Sequence, residues 1–241
     1  MIIENKKEKY LLIGDLHLGL TSEWRRKGVS AYSQVKDFIK KISEMKKQTK
    51  ASHLVLIGDV KHKVTGISWQ EEREIPEFLS LLEKMFKKVI IIKGNHDGHI
   101  EKLVKMTDLS KSAKSKENKI RVVKSLVIGD YFITHGHRNI KTKKPNIIIG
   151  HNQPSVRFKD RIGAYYVMQC WVVGKLKITG KNPAKGKEQE LIIIPAFNPL
   201  SGSTVVNKNE LLGPIAKHLD RSTAHVFLLD GTDLGTIKDL E

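Results

Sequence analysis

Short apolar runs alternate with helical patterns along the first half of the chain. Two segments repeat apolar residues at helical spacing and are predicted to form helices, one after Ser30 and one after Pro76. The remaining apolar runs are short, rich in β-branched residues and typical of buried strands. These predicted strands are Tyr10–Ile13, Leu54–Ile57, Val89–Ile92, Tyr131–Thr134 and Ile147–Ile149. The order at the start is β-α-β-α-β, which indicates an α/β fold.

The second half of the chain contains more strand patterns and fewer helical ones. Strands are predicted over Ala164–Val173, Leu176–Thr179, Leu191–Ile194 and Val226–Leu229. A weak helix is expected over Glu210–Leu219, where Pro214 interrupts the pattern. Lys-rich stretches predict exposed loops over Lys105–Lys119, Arg138–Asn146 and Lys175–Lys187. We therefore expect a second sheet packed on the first and, since no repeat or linker is evident, a single domain over residues 1–241.

The charge of the chain leaves two interpretations open. The formal net charge is +17, with 43 Lys and Arg against 26 Asp and Glu. This excess suits an anionic partner such as nucleic acid, but the lysines are spread along the chain without interleaved aromatic residues, which favours a merely Lys-rich surface. There is one cysteine, Cys170, and no apolar run approaches the roughly 20 residues that cross a bilayer. We expect a cytoplasmic protein without a signal peptide or membrane segment, and the oligomeric state stays open.

Polar side chains that could bind a metal follow five of the predicted strands. The first of them after each strand lies within about three residues of the strand end, where ligand crevices form in open α/β sheets. They are Asp15 and His17, then Asp59, then Asn95, His96 and Asp97, then His135, and finally His151. Each motif alone is weak, but five in order at strand ends are a strong indication of one common site.

The types of these side chains indicate which metals would bind. Carboxylate, imidazole and amide donors without thiolate suit Mn²⁺, Fe or Zn²⁺ in a reactive site better than a structural zinc. The set is too large for one four-coordinate ion, whereas two ions about 3.5–4 Å apart that share a carboxylate would use it fully. Asp59 is the natural shared ligand, because it is the lone carboxylate of its loop.

The motifs resemble those of the calcineurin-like metallophosphoesterase superfamily, and within it the ICC-like phosphoesterases of archaea and bacteria. The resemblance implies a four-layer α/β/β/α sandwich with two mixed sheets flanked by helices. It also implies hydrolysis of phosphodiesters, with phosphomonoesters as a second substrate class, through in-line attack by a hydroxide that bridges two metals. The matching segments are Gly14-Asp-Leu-His, Gly58-Asp-Val, Gly94-Asn-His-Asp, Thr134-His-Gly-His and Gly150-His-Asn-Gln, followed by Pro195-Ala-Phe-Asn-Pro.

The resemblance also implies a role for each site residue. One ion would be held by Asp15, His17 and Asp59, and the other by Asp59, Asn95, His135 and His151. His96 would be the general acid or transition-state donor near the leaving oxygen, and Asp97 could orient its ring. Two divalent ions are expected, Mn²⁺ before Fe, Zn²⁺ or Ni²⁺.

The last motif departs from the family pattern at Gln153. The family usually has a second histidine there, which completes the first metal site. A neutral amide oxygen is usually a weaker donor than imidazole, so we expect a weaker ion beside Asp15, which would favour Mn²⁺ over Zn²⁺.

Three further residues are candidates for substrate binding. His62 follows Asp59 by three positions, His137 follows His135 by two, and Arg138 begins a basic stretch near the expected cleft. Solvated loop positions explain each of them equally well. The partner is expected to be a small phosphoester or a nucleic acid. A DNA or RNA nuclease and a non-catalytic metal or phosphate binder remain as alternatives.

Overall fold

The computed structural model describes residues 1–109, 119–177 and 188–241. These residues form two compact units, Met1–Lys124 and Ser125–Glu241. Each unit contains one mixed β-sheet, so the predicted α/β class with two mixed sheets is confirmed. That the whole chain acts as a single domain stays a prediction.

The first unit is a five-stranded sheet with helices between its parallel strands. The sheet has the order β1-β2-β3-β4-β5, in which β1 is antiparallel to β2 and the other neighbours are parallel. All five residues of the central strand β3 are buried, as expected for a parallel strand between helices. The strands are β1 (Ile2–Asn5), β2 (Glu8–Gly14), β3 (His53–Ile57), β4 (Lys88–Ile92) and β5 (Ile120–Val123), and the helices are α1 (Leu20–Arg26), α2 (Val35–Thr49), α3 (Trp69–Met85) and α4 (Ile100–Leu109).

Both predicted helix starts in this unit were wrong. Helix α2 begins at Val35 rather than after Ser30. Helix α3 begins at Trp69, and Pro76 lies inside it. A capping box between Ser68 and Glu71 determines this start, because each side chain accepts a hydrogen bond from the backbone N–H of the other.

The predicted loop over Lys105–Lys119 is also wrong in its first part. Helix α4 continues through Lys105 to Leu109. Its buried apolar residues Ile100, Leu103 and Val104 lie on one face of the helix. Burial of this face favours the helix although lysines occupy other positions. Residues 110–118 of this prediction lie outside the described residues.

The second unit is built on a nine-stranded mixed sheet in the described residues. Its main path has the order β12-β9-β10-β11-β8-β7-β6, and β13 pairs with β10 and β14. The strands β7, β8 and β11 are parallel neighbours, so the loops after β7 and β8 leave the same edge of the sheet. The strands are β6 (Ser125–Ile128), β7 (Tyr131–Thr134), β8 (Asn146–Ile149), β9 (Pro154–Lys159), β10 (Tyr165–Lys175), β11 (Glu190–Ile193), β12 (Thr204–Val205), β13 (His225–Leu228) and β14 (Asp233–Thr236); the helices are α5 (Gly213–Ala216) and a 3₁₀ turn over Lys238–Leu240.

Three predictions in this unit need correction. The helix expected over Glu210–Leu219 is reduced to the four residues of α5, and Pro214 lies in its first turn, where a missing N–H costs nothing. Of the strand expected over Leu176–Thr179, Leu176 forms only an isolated bridge with Leu219, Lys177 is not in a strand, and the rest lies outside the described residues. The loop over Arg138–Asn146 is confirmed up to Pro145. The loop over Lys175–Lys187 is wrong at Lys175, which ends β10 because it pairs with Glu190 of β11, and most of the remainder lies outside the described residues.

Within the described ranges no helix has the length and apolar character that crossing a membrane requires.

Candidate metal-binding active site

The loops that follow β2 and β3 are joined by backbone hydrogen bonds. The N–H of Asp15 donates to the carbonyl of Gly58 at 3.1 Å, and the N–H of His17 donates to the carbonyl of Asp59 at 2.8 Å. Since β2, β3 and β4 are adjacent and parallel, their carboxyl ends meet at one edge of the sheet. The first unit therefore brings together the residues that were predicted from its three strand ends.

The donor atoms at this edge are close enough to share an ion. One ligand atom from each of Asp15, His17 and Asp59 lies within 4.8 Å of the other two, and all three residues are buried. The Nε2 atom of His17 is 3.8 Å from Oδ2 of Asp59, and Nε2 of His96 is 3.9 Å from the same oxygen. Two buried carboxylates beside imidazoles suit a divalent cation, which would offset the cost of burying their charge.

A second group of donors overlaps the first. Ring nitrogens of His17, His62 and His96 also lie within 4.8 Å of one another. The rings of His17 and His96 meet edge to face at 4.8 Å between centroids, and Nδ1 of His62 is 3.4 Å from Nδ1 of His17. His62, predicted as a substrate contact, thus borders the metal donors directly.

Five of the seven predicted metal ligands have a backbone in the left-handed region. This conformation is uncommon for residues other than glycine, and clusters of it occur at functional sites. Such backbone conformations persist only where the surrounding structure enforces them. The φ angles are 53° for Asp15, 46° for His17, 49° for Asp59, 66° for His151 and 47° for Gln153.

Gly94 lets the loop after β4 approach Asp59 closely. A Cβ atom at this position would collide with Oδ1 and the backbone nitrogen of Asp59, and would lie 3.0 Å from its Cγ. The N–H of His96 donates to Oδ1 of Asp59 at 2.9 Å. The two contacts fix the Asp59 carboxylate against the loop that contains Asn95, which is itself exposed.

Asp97 holds two loops of the site together. Its fully buried carboxylate accepts hydrogen bonds from the N–H groups of Val60 at 2.9 Å, Lys61 at 3.2 Å and Gly94 at 2.8 Å. These bonds link the segment after Asp59 to the segment before His96. The sequence suggested that Asp97 orients the His96 ring, and these contacts add a role in positioning the backbone.

The carbonyl oxygen of His62 is bonded to Nδ1 of His96. A carbonyl can only accept, so Nδ1 holds a hydrogen in this contact. In the neutral ring, Nε2 then has a lone pair and faces the Asp59 carboxylate; in the imidazolium form, Nε2 can donate a proton. The contact defines which nitrogen of His96 is available for chemistry.

Two buried charged residues near the site were missed from the sequence. Lys61 is fully buried, with Nζ bonded to the carbonyl of Lys63. Burial lowers the pKa of Lys61, and the carboxylates of Glu71 and Asp97 oppose this shift. Glu71 accepts from the N–H groups of His62 at 2.9 Å and Lys63 at 2.6 Å, and so shapes the His62 loop. The capping box Ser68-Trp-Gln-Glu71 was the signal that could have revealed Glu71.

The second unit gathers its own histidines after β7 and β8. The ring of His135 is 5.2 Å from that of His137 and 5.0 Å from that of His151. The N–H of Gly150 donates to the carbonyl of His135 at 3.1 Å, which joins the two loops. His135 is buried, whereas Arg138 is exposed on the loop that follows.

A neighbouring segment supports the His151 loop. The amide of Asn152 donates to the carbonyl of Leu212 at 3.2 Å and accepts from its N–H at 2.7 Å. Gly213, at φ +85°, lies so close that a Cβ there would be 2.7 Å from the carbonyl oxygen of Gly136 and 3.3 Å from Cδ2 of His151. Asn152 was not identified from the sequence, because its partner lies 60 positions away.

Comparison with known families identifies the class of the protein. The family model for calcineurin-like phosphoesterases matches residues 8–220. The chain therefore belongs to the calcineurin-like phosphoesterase family. The resemblance predicted from the motifs is confirmed, and so is the assignment of the chain as a phosphoester hydrolase.

One solved structure supports the fold, and a second is reported for its similarity alone. The nuclease MPE of Pseudomonas putida is 17% identical over 95% of this chain and 96% of its own, with a TM-score of 0.53. Yfce, a phosphoesterase from E. coli, is 16% identical over 94% of this chain and 96% of its own, with a TM-score of 0.40. No curated protein matches the chain.

Proposed function

We propose that this hydrolase cleaves phosphodiesters with the help of two divalent metal ions, of which Mn²⁺ is favoured. The observation that supports this most directly is the buried set of Asp15, His17 and Asp59, whose donor atoms lie within 4.8 Å of one another. Oxygen and imidazole donors without thiolate fit Mn²⁺ well, although Fe, Zn²⁺ and Ni²⁺ accept the same donors.

The proposed ligand sets follow the family resemblance. Asp15, His17 and Asp59 would hold one ion, with Gln153 in the position of the family's histidine. Asp59 would also serve the second ion, together with Asn95, His135 and His151. When bound, the ions would activate a water molecule and neutralise the charge that develops on the phosphoryl oxygens.

The residues around the ions would position the reaction and move a proton. His96 would donate a proton to the leaving oxygen through Nε2, which requires the imidazolium form because Nδ1 is held by the carbonyl of His62. Asp97 would keep the backbone of both metal loops in place through its three N–H contacts. His62, His137 and Arg138 are proposed substrate contacts.

A nuclease is the second candidate function. The net charge of +17 suits a polyanionic substrate, and a nuclease is among the structures that share the fold. Since a nuclease is also a phosphodiesterase, the two candidates differ in substrate size and not in the site chemistry.

The test compares substrates with the purified chain in the presence of Mn²⁺. We expect hydrolysis of bis-p-nitrophenyl phosphate and a much slower reaction with p-nitrophenyl phosphate. Cleavage of single- or double-stranded DNA would identify the nuclease as the correct candidate. Asp59→Ala and His96→Ala should each reduce the rate at least a hundredfold. Absence of turnover with every substrate would refute the proposed activity and leave a metal or phosphate binder.

We also propose a cytoplasmic location. It is supported by the single cysteine, Cys170, which is buried and has a pKa that burial raises to about 12. A chain with one cysteine forms no internal disulfide, which suits the reducing cytoplasm.

A further inference from the structure

The first unit contains a cavity of about 450 Å³ beside the proposed metal ligands. It lies between α1 and the start of α3, and one of its lining residues is His62. The imidazole of His62 contacts His17 and Glu23, at 3.4 Å and 3.5 Å between the nearest polar atoms. Only the side chain of His62 would therefore separate a group bound in this cavity from the metal donor His17.

The wall of this cavity includes an exposed tryptophan. Trp69 is 71% exposed, which is unusual for the largest apolar side chain. The guanidinium of Arg73 lies over its ring, 4.8 Å from the centroid. This cation–π contact restrains the indole. Because most of the ring stays exposed, it offers a flat aromatic surface at the edge of the cavity.

The same cavity is lined by three cationic side chains. Arg25 is anchored by hydrogen bonds to the carbonyl of Ala31 and to Oε1 of Gln70, each at 2.7 Å. Arg26 has a largely exposed side chain, and Lys63 is exposed as well. One anchored and two exposed cations are thus placed together, and Arg and Lys are the side chains that bind phosphate.

Two carboxylates also line the cavity, and both have local partners. Glu23 lies 3.7 Å from Arg26 and 3.5 Å from His62. Glu71 accepts backbone hydrogen bonds from His62, Lys63 and Ser68. The positive side chains outnumber these carboxylates, so the lining is suited to an anion.

We propose that this cavity binds the nucleoside part of a phosphodiester substrate. The base stacks on Trp69, and a phosphate next to the scissile one lies among Arg25, Arg26 and Lys63. This inference rests on the proposed function, since it places the nucleoside beside the metal ligands. An aromatic face together with cations distinguishes a nucleotide from other phosphoesters, because stacking recognises the base and the cations recognise the phosphate.

The test uses two substrates that share a leaving group. Thymidine 5′-(p-nitrophenyl phosphate) and methyl p-nitrophenyl phosphate release the same p-nitrophenolate, and only the first has a nucleoside. We expect the intact chain to prefer the thymidine ester in kcat/KM, and Trp69→Ala to reduce the ratio of the two values about tenfold, the size of one base–aromatic stacking contact. Trp69→Phe should keep most of the ratio.

Tyr166→Ala serves as a matched control, because it removes an exposed aromatic ring that does not line the cavity. The ratio should not change in this variant. A ratio that is the same in the intact chain and in Trp69→Ala would overturn the nucleoside site, even if both esters are hydrolysed.

A binding measurement separates failure of the site from failure of the proposed function. A short oligothymidylate is titrated into the metal-free protein while tryptophan fluorescence is recorded. Stacking on Trp69 should quench the emission, and Trp69→Phe should remove the quenching although Trp24 and Trp171 remain. If neither ester is hydrolysed, the proposed function fails. Quenching that depends on Trp69 would still support the nucleoside site. Equal quenching in both proteins would refute the stacking contact.

Discussion

Replacing Gly94 by alanine should damage the site by moving a single carboxylate. The added methyl group has no room, because it would overlap Oδ1 and the backbone nitrogen of Asp59 and lie 3.0 Å from Cγ. Most of these atoms belong to the backbone or to the base of a short side chain, so rotation alone cannot relieve the overlap. The Asp59 loop must shift relative to the loop of Gly94.

The size of the effect follows from the required displacement. Overpacking by one methyl group costs about 1–3 kcal/mol of the free energy of unfolding. To reach ordinary contact distances, the Asp59 carboxylate has to move by on the order of 1 Å, and such a misplacement can cost a factor of about 100 in rate. The activity should therefore fall about a hundredfold while the chain stays folded, because a loss of about 1–3 kcal/mol is smaller than the usual stability of a domain, about 5–15 kcal/mol.

Gly98→Ala is the matched control in the same loop. A Cβ atom at Gly98 would meet only the carbonyl oxygen of Val64 at 3.4 Å, an ordinary contact. We would measure kcat/KM with bis-p-nitrophenyl phosphate, the Mn²⁺ affinity by calorimetry and the urea unfolding midpoint for both variants. If Gly94→Ala keeps full activity and metal affinity, or if Gly98→Ala is equally impaired, the close approach of Gly94 to Asp59 is not what positions the carboxylate.

Three further experiments test other features of the site. Asp97→Asn should destabilise the chain by about 2–4 kcal/mol in urea unfolding, because one of its buried N–H partners must then face an amide NH₂. The control is Asp160→Asn, which alters an exposed turn with two N–H contacts and should cost under about 1 kcal/mol. Equal losses in the two variants would contradict the role of burial. Gln153→His restores the imidazole of the family and should tighten the weaker Mn²⁺ site about tenfold in calorimetry; an unchanged affinity would remove Gln153 from the ligand set. Reversing Arg138 and Lys141 to glutamate should weaken oligonucleotide binding and lower its salt dependence, and an unchanged salt dependence would exclude this loop from the interface.

The strands and the order of the ligands could be predicted because their signals are local. The apolar runs of β3 and β4 were placed to within one residue of the observed strands. Each ligand follows such a run directly, so its position at the sheet edge follows from topology. The second half of helix α4 is not predicted from the sequence, because its lysines are typical of an exposed loop and obscure the buried face of Ile100 and Leu103.

The parts that the sequence did not reveal depend on distant partners or on backbone strain. The Asp97 carboxylate contacts the N–H groups of residues 36 and 37 positions away, which no local pattern indicates. Asp and His are not specific to the left-handed region, so the conformations of Asp15 and His17 were not apparent from residue type. The cavity beside Trp69 arises where α1 and α3 meet and depends on tertiary packing.

The dinuclear site can be tested by counting the metal ions that each chain binds while activity is measured on the same samples. The purified protein would be equilibrated with increasing Mn²⁺, bound metal would be counted by native mass spectrometry, and hydrolysis of bis-p-nitrophenyl phosphate would be assayed at each point. We predict two ions at saturation, activity that rises with the second ion, and loss of both the second ion and activity in Asp59→Ala. Two bound ions with full activity in Asp59→Ala, or full activity of the intact chain with one ion, would contradict a dinuclear site that shares this carboxylate.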